Sequence, residues 1–522
     1  MTNPKPQQYA QAQNMSYAED GGPTVLGEHY ANPYTPENMQ AAKETLAQEG
    51  IISPVSFSVA TTHYYVKFSP RSMDELTSLM RNEDLTLSDI PLDYEVKKVG
   101  NWYREPGLPD DVPTPQYASV SKDFSFNPDI PYQILSALYI PEEEPNLTEN
   151  PDNGVGGRDY AVKLLGKAFV LKHVPFDIPL DDPTQWEIGP IPPTGTIKIY
   201  DSRLGQNIAL EGVKVSGNRW FTTYWGTTNA TGQYTLNGAF IRDADYTIHL
   251  QRADFSIADY TLWPFMALSK IVRYNQNGTH WNYTIAPGYE NMQGHMFRAA
   301  YRYYYKDIDG LTRPTFSNYT QVLVAKNAAK DWSGINYIAL PILKVARFSS
   351  SGTEYGSDEI FSTTIHELAH TAHVKTMSLG SVSYAIMSSL IRESWPCAVE
   401  WYLTGKEYKG LGISNYGEHD YNPSNPPQYP NTYAYQYWSN GTSSDYTSLF
   451  INLIDNFNEN GHSFQGWGIG TVNDQVSGYS PANIEDEILS GSYGLSSLST
   501  ELKAHKPAGV TNAQIDQLLN SY

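Results

Sequence analysis

The pattern of apolar and polar positions is most regular between Ser357 and Met377. Apolar residues in this stretch recur at the three- and four-residue spacing of one helical face: Ile360, Phe361, Ile365, Leu368, Ala369 and Ala372. Ser357 can cap the N-terminus, and the acidic residues Asp358 and Glu359 are favoured in a first turn. Gly380 lies where such a helix would end. The pattern predicts a helix from Ser357 to Met377 with one buried face.

The first third of the chain predicts a mixed α/β domain. Residues 35–47 have a capped helical pattern, residues 55–68 alternate as in a strand, and residues 72–80 return to helical spacing. The residues before this region are polar and rich in Gln and Asn. We therefore expect a flexible leader at residues 1–25 and an α/β N-terminal domain at residues 26–190.

The next segment has a different period. Between residues 195 and 251, short alternating runs are separated by turn residues about every seven to ten positions. This spacing is typical of a small antiparallel β-sandwich. We place it at residues 191–255.

The pattern after the sandwich predicts two long helices and one strand. The helices cover residues 292–305 and 382–403, and Pro396 is expected to kink the second of them. Residues 335–345 are strongly apolar, and Pro341 within them favours a strand at a sheet edge. An edge strand could pair with an extended peptide, or a loop could cover it.

The C-terminal part of the chain predicts further helices at about residues 446–458, 481–489 and 511–520. An aromatic, Pro-rich loop pattern precedes them at residues 419–443. We expect a helical subdomain over residues 411–522.

Composition limits the range of partners. The chain has 522 residues, enough for two to four domains, and a formal net charge of −21. This charge argues against binding to nucleic acid. The chain contains no run of 18 apolar residues, the length that a membrane-spanning helix needs. With Cys397 as the only cysteine, an intrachain disulfide and a cysteine-rich metal site are excluded.

Other features of composition suggest an exported protein. The chain has 40 Tyr residues, 39 Gly residues and only 17% charged residues. Its first residues contain no apolar signal region, so we expect that a signal peptide was removed and that the protein is extracellular, periplasmic or at the cell surface. We expect a monomer.

The predicted helix at Ser357 contains an H-E-x-x-H pattern, formed by His366, Glu367 and His370. Residues four apart lie on one face of a helix, so the two imidazoles can share one metal ion. Zn²⁺ suits imidazole ligands, and Glu367 is placed to take a proton from a water that the metal activates. The motif predicts a zinc site with Glu367 as the general base.

A catalytic zinc site needs a third protein ligand, and the sequence offers two candidates in the next helix. Glu393 and Glu400 are seven residues apart, so they share a face about 10.5 Å apart along the axis, and only one can ligate. His373 lies equally far from His366, too far to share its ion, and is expected to pack or to support the site. The choice between the two glutamates stays open at this point.

The arrangement H-E-L-A-H, followed by a helix reading E-S-W-P-C-A-V-E-W-Y-L, resembles that of gluzincins, the thermolysin-like zinc metalloproteases. The resemblance implies that His366, His370 and Glu393 are ligands and that Glu367 is the base. The family places an Asp four residues after the ligand glutamate, where this chain has Cys397. It also uses a downstream Tyr or His to stabilise the oxyanion, for which the candidates are Tyr446, His419 and His462.

The remaining segments resemble those of secreted or lipid-anchored bacterial zinc metalloproteases. The T-x-x-x-G-x-Y-x-L pattern that starts at Thr228 is similar to that of carboxypeptidase-regulatory-like modules. The implied fold class is multidomain α+β, in which a mixed α/β domain and a β-sandwich precede a zincin-like catalytic subdomain at residues 256–410.

These observations favour a zinc-dependent peptidase that acts on peptides or proteins, glycoproteins included. One alternative is a surface protein that binds glycan or peptide and has a degenerate or structural zinc site. Another is an enzyme that hydrolyses a non-peptide amide. An open coordination position would favour an enzyme, whereas a fourth protein ligand would favour a structural site.

Overall fold

The computed structural model describes most of the chain. Its described residues are 23–51, 58–82, 84–100, 103–109, 112–141, 157–174, 192–240, 244–259, 269–276, 278, 280–315, 320–329, 342–377, 380–414, 416, 445–457 and 472–522. The fold is mixed α+β, as predicted. The chain forms two compact units: unit 1 contains residues 1–200 and 207–294, and unit 2 contains residues 201–206 and 295–522.

Unit 1 begins with an α/β region. A three-stranded antiparallel sheet has β2 in its centre, between β4 and β5, and β1 pairs with β3 beside it. The strands are β1 (Val25–His29), β2 (His63–Phe68), β3 (Tyr94–Lys98), β4 (Gln116–Ser121) and β5 (Tyr132–Leu138). The helices are α1 (Pro36–Gln48), α2 (Met73–Arg81) and α3 (Gly157–Leu171).

Two of these helices confirm predictions, and their caps show why. Thr35 and Ser72 accept hydrogen bonds from the backbone N–H of the third residue after each, and so cap α1 and α2. The predicted strand at residues 55–68 was too long, because residues 58–62 are not in a strand and residues 52–57 lie outside the described part. Helix α3 was not predicted.

The rest of unit 1 is rich in short strands, as the sequence predicted. One sheet has the order β13–β11–β8–β9, and a second has the order β10–β6–β14 with β7 attached to β6. The strands are β6 (Thr194–Asp201), β7 (Gln206–Ala209), β8 (Lys214–Arg219), β9 (Thr222–Thr227), β10 (Gln233–Thr235), β11 (Ala244–His249), β12 (Phe255–Asp259), β13 (Lys270–Gln276) and β14 (Tyr283–Ile285). Since β13 pairs with β11 and β14 with β6, the expected boundary at residue 255 lies inside unit 1.

Unit 2 contains a parallel pair of strands and a set of helices. The strands are β15 (Gln321–Ala329) and β16 (Ile342–Phe348), and part of α4 (Tyr289–Tyr305) belongs to this unit. The helices that follow are α5 (Ser357–Thr376), α6 (Ser381–Ile386), α7 (Ser389–Gly410), α8 (Leu449–Ile454), α9 (Pro481–Asn483), α10 (Leu495–Ala504) and α11 (Asn512–Leu519). Helix α9 continues into a π-helical turn at Ile484–Ile488. Helix α5 packs on α7 and on β16.

Several local predictions in unit 2 were wrong in detail. Gly356, not Ser357, is the N-cap of α5, and the Glu359 carboxylate accepts the Gly356 N–H at 2.6 Å. The helix predicted at residues 382–403 is two helices, and α7 continues through Pro396. Strand β16 starts at Ile342, and residues 330–341, including Pro341, lie outside the described part.

The C-terminal helices agree only in part with the pattern. Helix α8 is shorter than the predicted helix at residues 446–458, and α10 was not predicted. The aromatic segment at residues 419–443 lies outside the described part of the chain. Among the helices that the structure describes, none combines the length and the apolar character needed to cross a membrane.

Candidate metal centre

Helix α5 presents both histidines of the motif on the same side. The predicted apolar residues Ile365, Leu368 and Ala369 are fully buried, but every residue from Thr364 to His373 is buried as well, so the prediction of a single buried face was wrong. His366 and His370 are also buried, and their Nε2 atoms lie 3.2 Å apart. This close approach of two nitrogen atoms follows directly from the four-residue spacing.

Helix α7 brings one carboxylate to these two nitrogen atoms. Glu393 Oε2 lies 3.2 Å from His370 Nε2 and 3.8 Å from His366 Nε2. Ligands about 2.05 Å from a tetrahedral Zn²⁺ ion would be about 3.3 Å from one another. The three donor atoms therefore have the separations that a single ion of this size requires, and they could hold a metal.

The ionisable side chains of this group shift one another's pKa values. Burial alone would raise the pKa of Glu393, but hydrogen bonds and charge interactions with His366 and His370 lower it well below its ordinary value. Burial would lower the pKa of His366, yet Cys397, Glu393 and Glu400 raise it above its ordinary value. These interactions therefore keep the Glu393 carboxylate ionised beside the two imidazoles.

The other nitrogen atom of each imidazole also has a partner. Glu400 Oε2 lies 3.1 Å from His366 Nδ1, and Tyr384 Oη lies 2.6 Å from His370 Nδ1. Such contacts fix the orientation of a ring and direct its Nε2 atom toward a metal. Glu393 and Glu400 are thus on opposite sides of the His366 ring, and only Glu393 reaches the Nε2 atoms of both histidines.

Comparisons with known proteins add little. No protein-family model matches this chain, and no curated protein matches it. A solved structure, 5-hydroxyisourate hydrolase of Klebsiella pneumoniae, is similar with a TM-score of 0.11 and 25% sequence identity. The match covers 18% of this chain and 91% of that one. With so low a TM-score, it supports no conclusion about the fold or the function of this chain.

Tyr384 is the site residue that sequence reasoning missed. It lies on the short helix α6, is buried, and contacts His370 through its hydroxyl group. Its spacing from the motif does not predict a contact with His370, because its position depends on the turn at Gly380, where φ is +54°. A search for a hydrogen-bonding side chain in the first helix after the motif could have found it.

His373 and Tyr446 occupy very different positions. His373 is completely buried, and its ring packs edge-on against Tyr384 at 5.1 Å between centroids. Burial, with a contribution from His370, lowers its pKa to about 3, so it is a neutral packing residue. Tyr446 precedes α8 and is 43% exposed, and its ring lies 5.9 Å from that of His366.

The remaining candidate site residues are Glu367, His419 and His462. Glu367 is buried one residue after His366 on α5. His419 and His462 lie outside the described residues.

A buried ion pair supports α7 from the side of α4. The Arg298 guanidinium is buried and donates to Asp201 at 3.0 Å and to Glu407 at 3.3 Å. Tyr408 also donates to Asp201, at 2.9 Å. Because Glu407 and Tyr408 are on α7, these contacts hold the helix that carries Glu393.

Proposed function

We propose that this protein is a zinc-dependent peptidase in which His366, His370 and Glu393 bind the metal. The observation that carries the proposal is the convergence of three donor atoms at separations of 3.2, 3.2 and 3.8 Å. Imidazole nitrogen and carboxylate oxygen are the ligand types of catalytic zinc sites. The partners of the two Nδ1 atoms support the same conclusion, since they direct both Nε2 atoms to one point.

The donor count favours an enzyme over a structural metal site. Within the described part of the chain, no fourth His, Cys, Asp or Glu side chain joins the three donors. A structural zinc site is usually closed by four protein ligands, whereas a catalytic site keeps a position for water or substrate. Three ligands therefore leave room for a substrate.

The chain's own residues have distinct roles in the proposed hydrolysis. Zinc, when bound, supplies a Lewis acid that polarises the scissile carbonyl and makes water acidic enough to react at neutral pH. Glu367 accepts a proton from the attacking water and delivers it to the amine nitrogen of the leaving group. The peptide C–N bond breaks, and water is divided between the new carboxyl and amine groups.

We propose Tyr446 as the residue that stabilises the oxyanion on the carbonyl oxygen. Burial, followed by the negative charge of Glu393, raises the pKa of its phenol to about 12. The phenol therefore stays protonated at neutral pH and can donate a hydrogen bond. Its partial exposure beside the His366 ring leaves it accessible to a substrate.

The test is the substitution Glu367→Gln, measured by zinc content and by mass-spectrometric cleavage of a mixed peptide library. We expect the variant to bind one zinc per chain, like the wild type, and to lose cleavage. The matched control is Glu487→Gln, which changes an exposed glutamate of unit 2 and should cleave normally. Full activity of Glu367→Gln, or no peptide cleavage by the zinc-loaded wild type, would overturn the proposal.

A further inference from the structure

Unit 1 contains a cleft that the proposed peptidase function does not use. It lies over one face of the β4–β2–β5 sheet and is bordered by residues of β1 and β3. Its volume is about 830 Å³, within the range of about 300–1,000 Å³ typical of small-molecule sites. The size alone permits a ligand, and the lining indicates its chemistry.

The strand register places polar and aromatic side chains side by side on the floor of the cleft. Lys67 of β2 lies directly opposite Tyr117 of β4 on one side and Gln133 of β5 on the other. Tyr65, two residues before Lys67, shares its face of the sheet because strand side chains alternate. The other face of the sheet contributes Val66 and further apolar side chains to a hydrophobic cluster. The cleft face thus presents Lys67 and Gln133 beside Tyr65 and Tyr117, whose rings also belong to a second hydrophobic cluster.

The first acidic group of the cleft is already neutralised by the protein. Lys67 Nζ donates to Glu105 Oε1 at 2.8 Å, and Tyr117 Oη donates to Glu105 Oε2 at 2.9 Å. The carboxylate keeps acceptor positions that these two bonds do not use, and the ammonium group keeps further N–H donors. The pair can therefore bind a neutral hydroxyl group from either side.

The second acidic group is held in the same way. Tyr65 Oη donates to Asp93 Oδ1 at 3.0 Å, and His29 Nε2 lies 3.0 Å from Asp93 Oδ2. Burial, followed by the charge of Asp93, raises the pKa of Tyr65 far above its ordinary value, so this donor does not titrate. Each carboxylate of the cleft thus has a tyrosine hydroxyl group and a side-chain nitrogen atom as partners.

Two further side chains complete the lining. Tyr94 of β3 is 37% exposed and offers a ring face beside the paired charges. Gln133 is exposed and makes no side-chain hydrogen bond to the described residues, so both its amide donors and its carbonyl oxygen are available. The cleft therefore combines a flat apolar surface with several neutral donors and acceptors.

We propose that this cleft binds a neutral oligosaccharide. The cleft does not favour a phosphate, a carboxylate or a metal cation, because Lys67 already pairs with Glu105 and both oxygen atoms of Asp93 already have hydrogen-bonding partners. A sugar matches what remains: its hydroxyl groups both donate and accept hydrogen bonds, and its C–H face packs on an aromatic ring.

The experiment measures binding of neutral oligosaccharides to the full chain by saturation-transfer NMR and calorimetry. The probes are neutral disaccharides to tetrasaccharides, with sialylated and sulfated counterparts and a mixed peptide library beside them. We expect at least one neutral sugar to bind at millimolar concentration or below. Tyr94→Ala should weaken it about tenfold through loss of the ring face, and Gln133→Ala about fivefold through loss of hydrogen bonds.

Two control variants separate the cleft from general effects. Ile134→Ala changes an exposed side chain next to Gln133 that does not line the cleft, and Tyr493→Ala removes an exposed tyrosine of unit 2. Both should bind sugar like the wild type. The proposal is overturned if no neutral probe binds, if only charged sugars or peptides bind, or if Tyr94→Ala and Gln133→Ala bind as well as their controls. Loss of cleavage in Glu367→Gln is independent of all these outcomes.

Discussion

The hydrogen bond between Tyr384 and His370 gives the sharpest test of the proposed metal centre. Tyr384 Oη lies 2.6 Å from His370 Nδ1, and the tyrosine is only 3% exposed. When Nε2 binds a metal, Nδ1 carries the proton and donates a hydrogen bond to the tyrosine oxygen. Tyr384→Phe removes this acceptor and leaves the ring in place, so the change is confined to one atom.

The size of the effect follows from burial. A buried N–H group without a partner costs about 1–3 kcal/mol, and loss of a ligand's orienting partner typically weakens metal binding about 10–100-fold. We therefore expect the zinc dissociation constant of Tyr384→Phe to rise by about one to two orders of magnitude. By linkage, each tenfold increase removes about 1.4 kcal/mol from the stabilisation that zinc gives the folded protein.

The assay is competition with a chromophoric zinc chelator, combined with thermal unfolding of the metal-free and zinc-loaded protein. The matched control is Tyr479→Phe, which removes an equally buried hydroxyl group that donates to Leu502 O at 2.7 Å, away from the site. If Tyr384 orients His370, the zinc affinity falls in Tyr384→Phe and stays normal in Tyr479→Phe. An unchanged zinc dissociation constant in Tyr384→Phe would refute the reasoning, and so would an equal loss in the control.

Three further predictions concern unit 2. Tyr446→Phe should lower kcat about 100-fold with little change in KM, because it removes a hydrogen bond made to the oxyanion, and steady-state kinetics on a cleaved peptide would show it. Burial raises the pKa of Glu485 to about 7. The folded protein therefore holds this proton more tightly than the unfolded chain, and the free energy of unfolding should fall by about 3 kcal/mol from pH 4.5 to pH 8. Urea unfolding of Glu485→Gln should lack this part of the pH dependence, and the same pH dependence in the variant and the wild type would contradict the prediction. Arg298→Met should lower the free energy of unfolding by about 3–5 kcal/mol, because Asp201 and Glu407 lose their buried partner. An unfolding midpoint equal to that of the wild type would contradict this last prediction.

The sequence was most informative where a single helix sets the geometry. The positions of His366 and His370 on one face of α5 depend only on the four-residue spacing, so the motif predicted their convergence without tertiary information. The same period predicted the burial of Leu368 and Ala369, but not that of Thr364 and Thr371 on the other sides of the helix. Predictions of this kind need only the pitch of a helix and its apolar face.

The choice of a third donor needed tertiary structure. Glu393 and Glu400 share one face of α7, and the helical period treats them alike. What separates them is the crossing of α5 and α7, which inserts the His366 ring between the two carboxylates. Residue spacing within one helix does not reveal how two helices cross.

The sequence pattern also did not predict the break between α6 and α7. We expected Pro396 to disturb the helix, but α7 continues through it and Trp395 beside it is completely buried. A proline in a helix costs one backbone hydrogen bond, and burial of its neighbours can offset that cost. The break occurs at Met387 instead, where the chain is extended, and Ser388 N donates to Tyr493 O at 2.9 Å. This tertiary contact favours a break that no local residue signals.

The cysteine that departs from the gluzincin pattern can be understood from the same geometry. Cys397 Sγ lies 3.9 Å from His366 Nδ1, and a thiol is a weak hydrogen-bond acceptor. Glu400, one turn further along α7 on the same side of the ring, lies 3.1 Å from that nitrogen atom and supplies the carboxylate. One helix thus provides a carboxylate on each side of a single imidazole, Glu393 near Nε2 and Glu400 at Nδ1. If the proposed ligand set is right, a substitution at Glu400 should weaken zinc binding without removing a ligand, whereas a substitution at Glu393 should remove one.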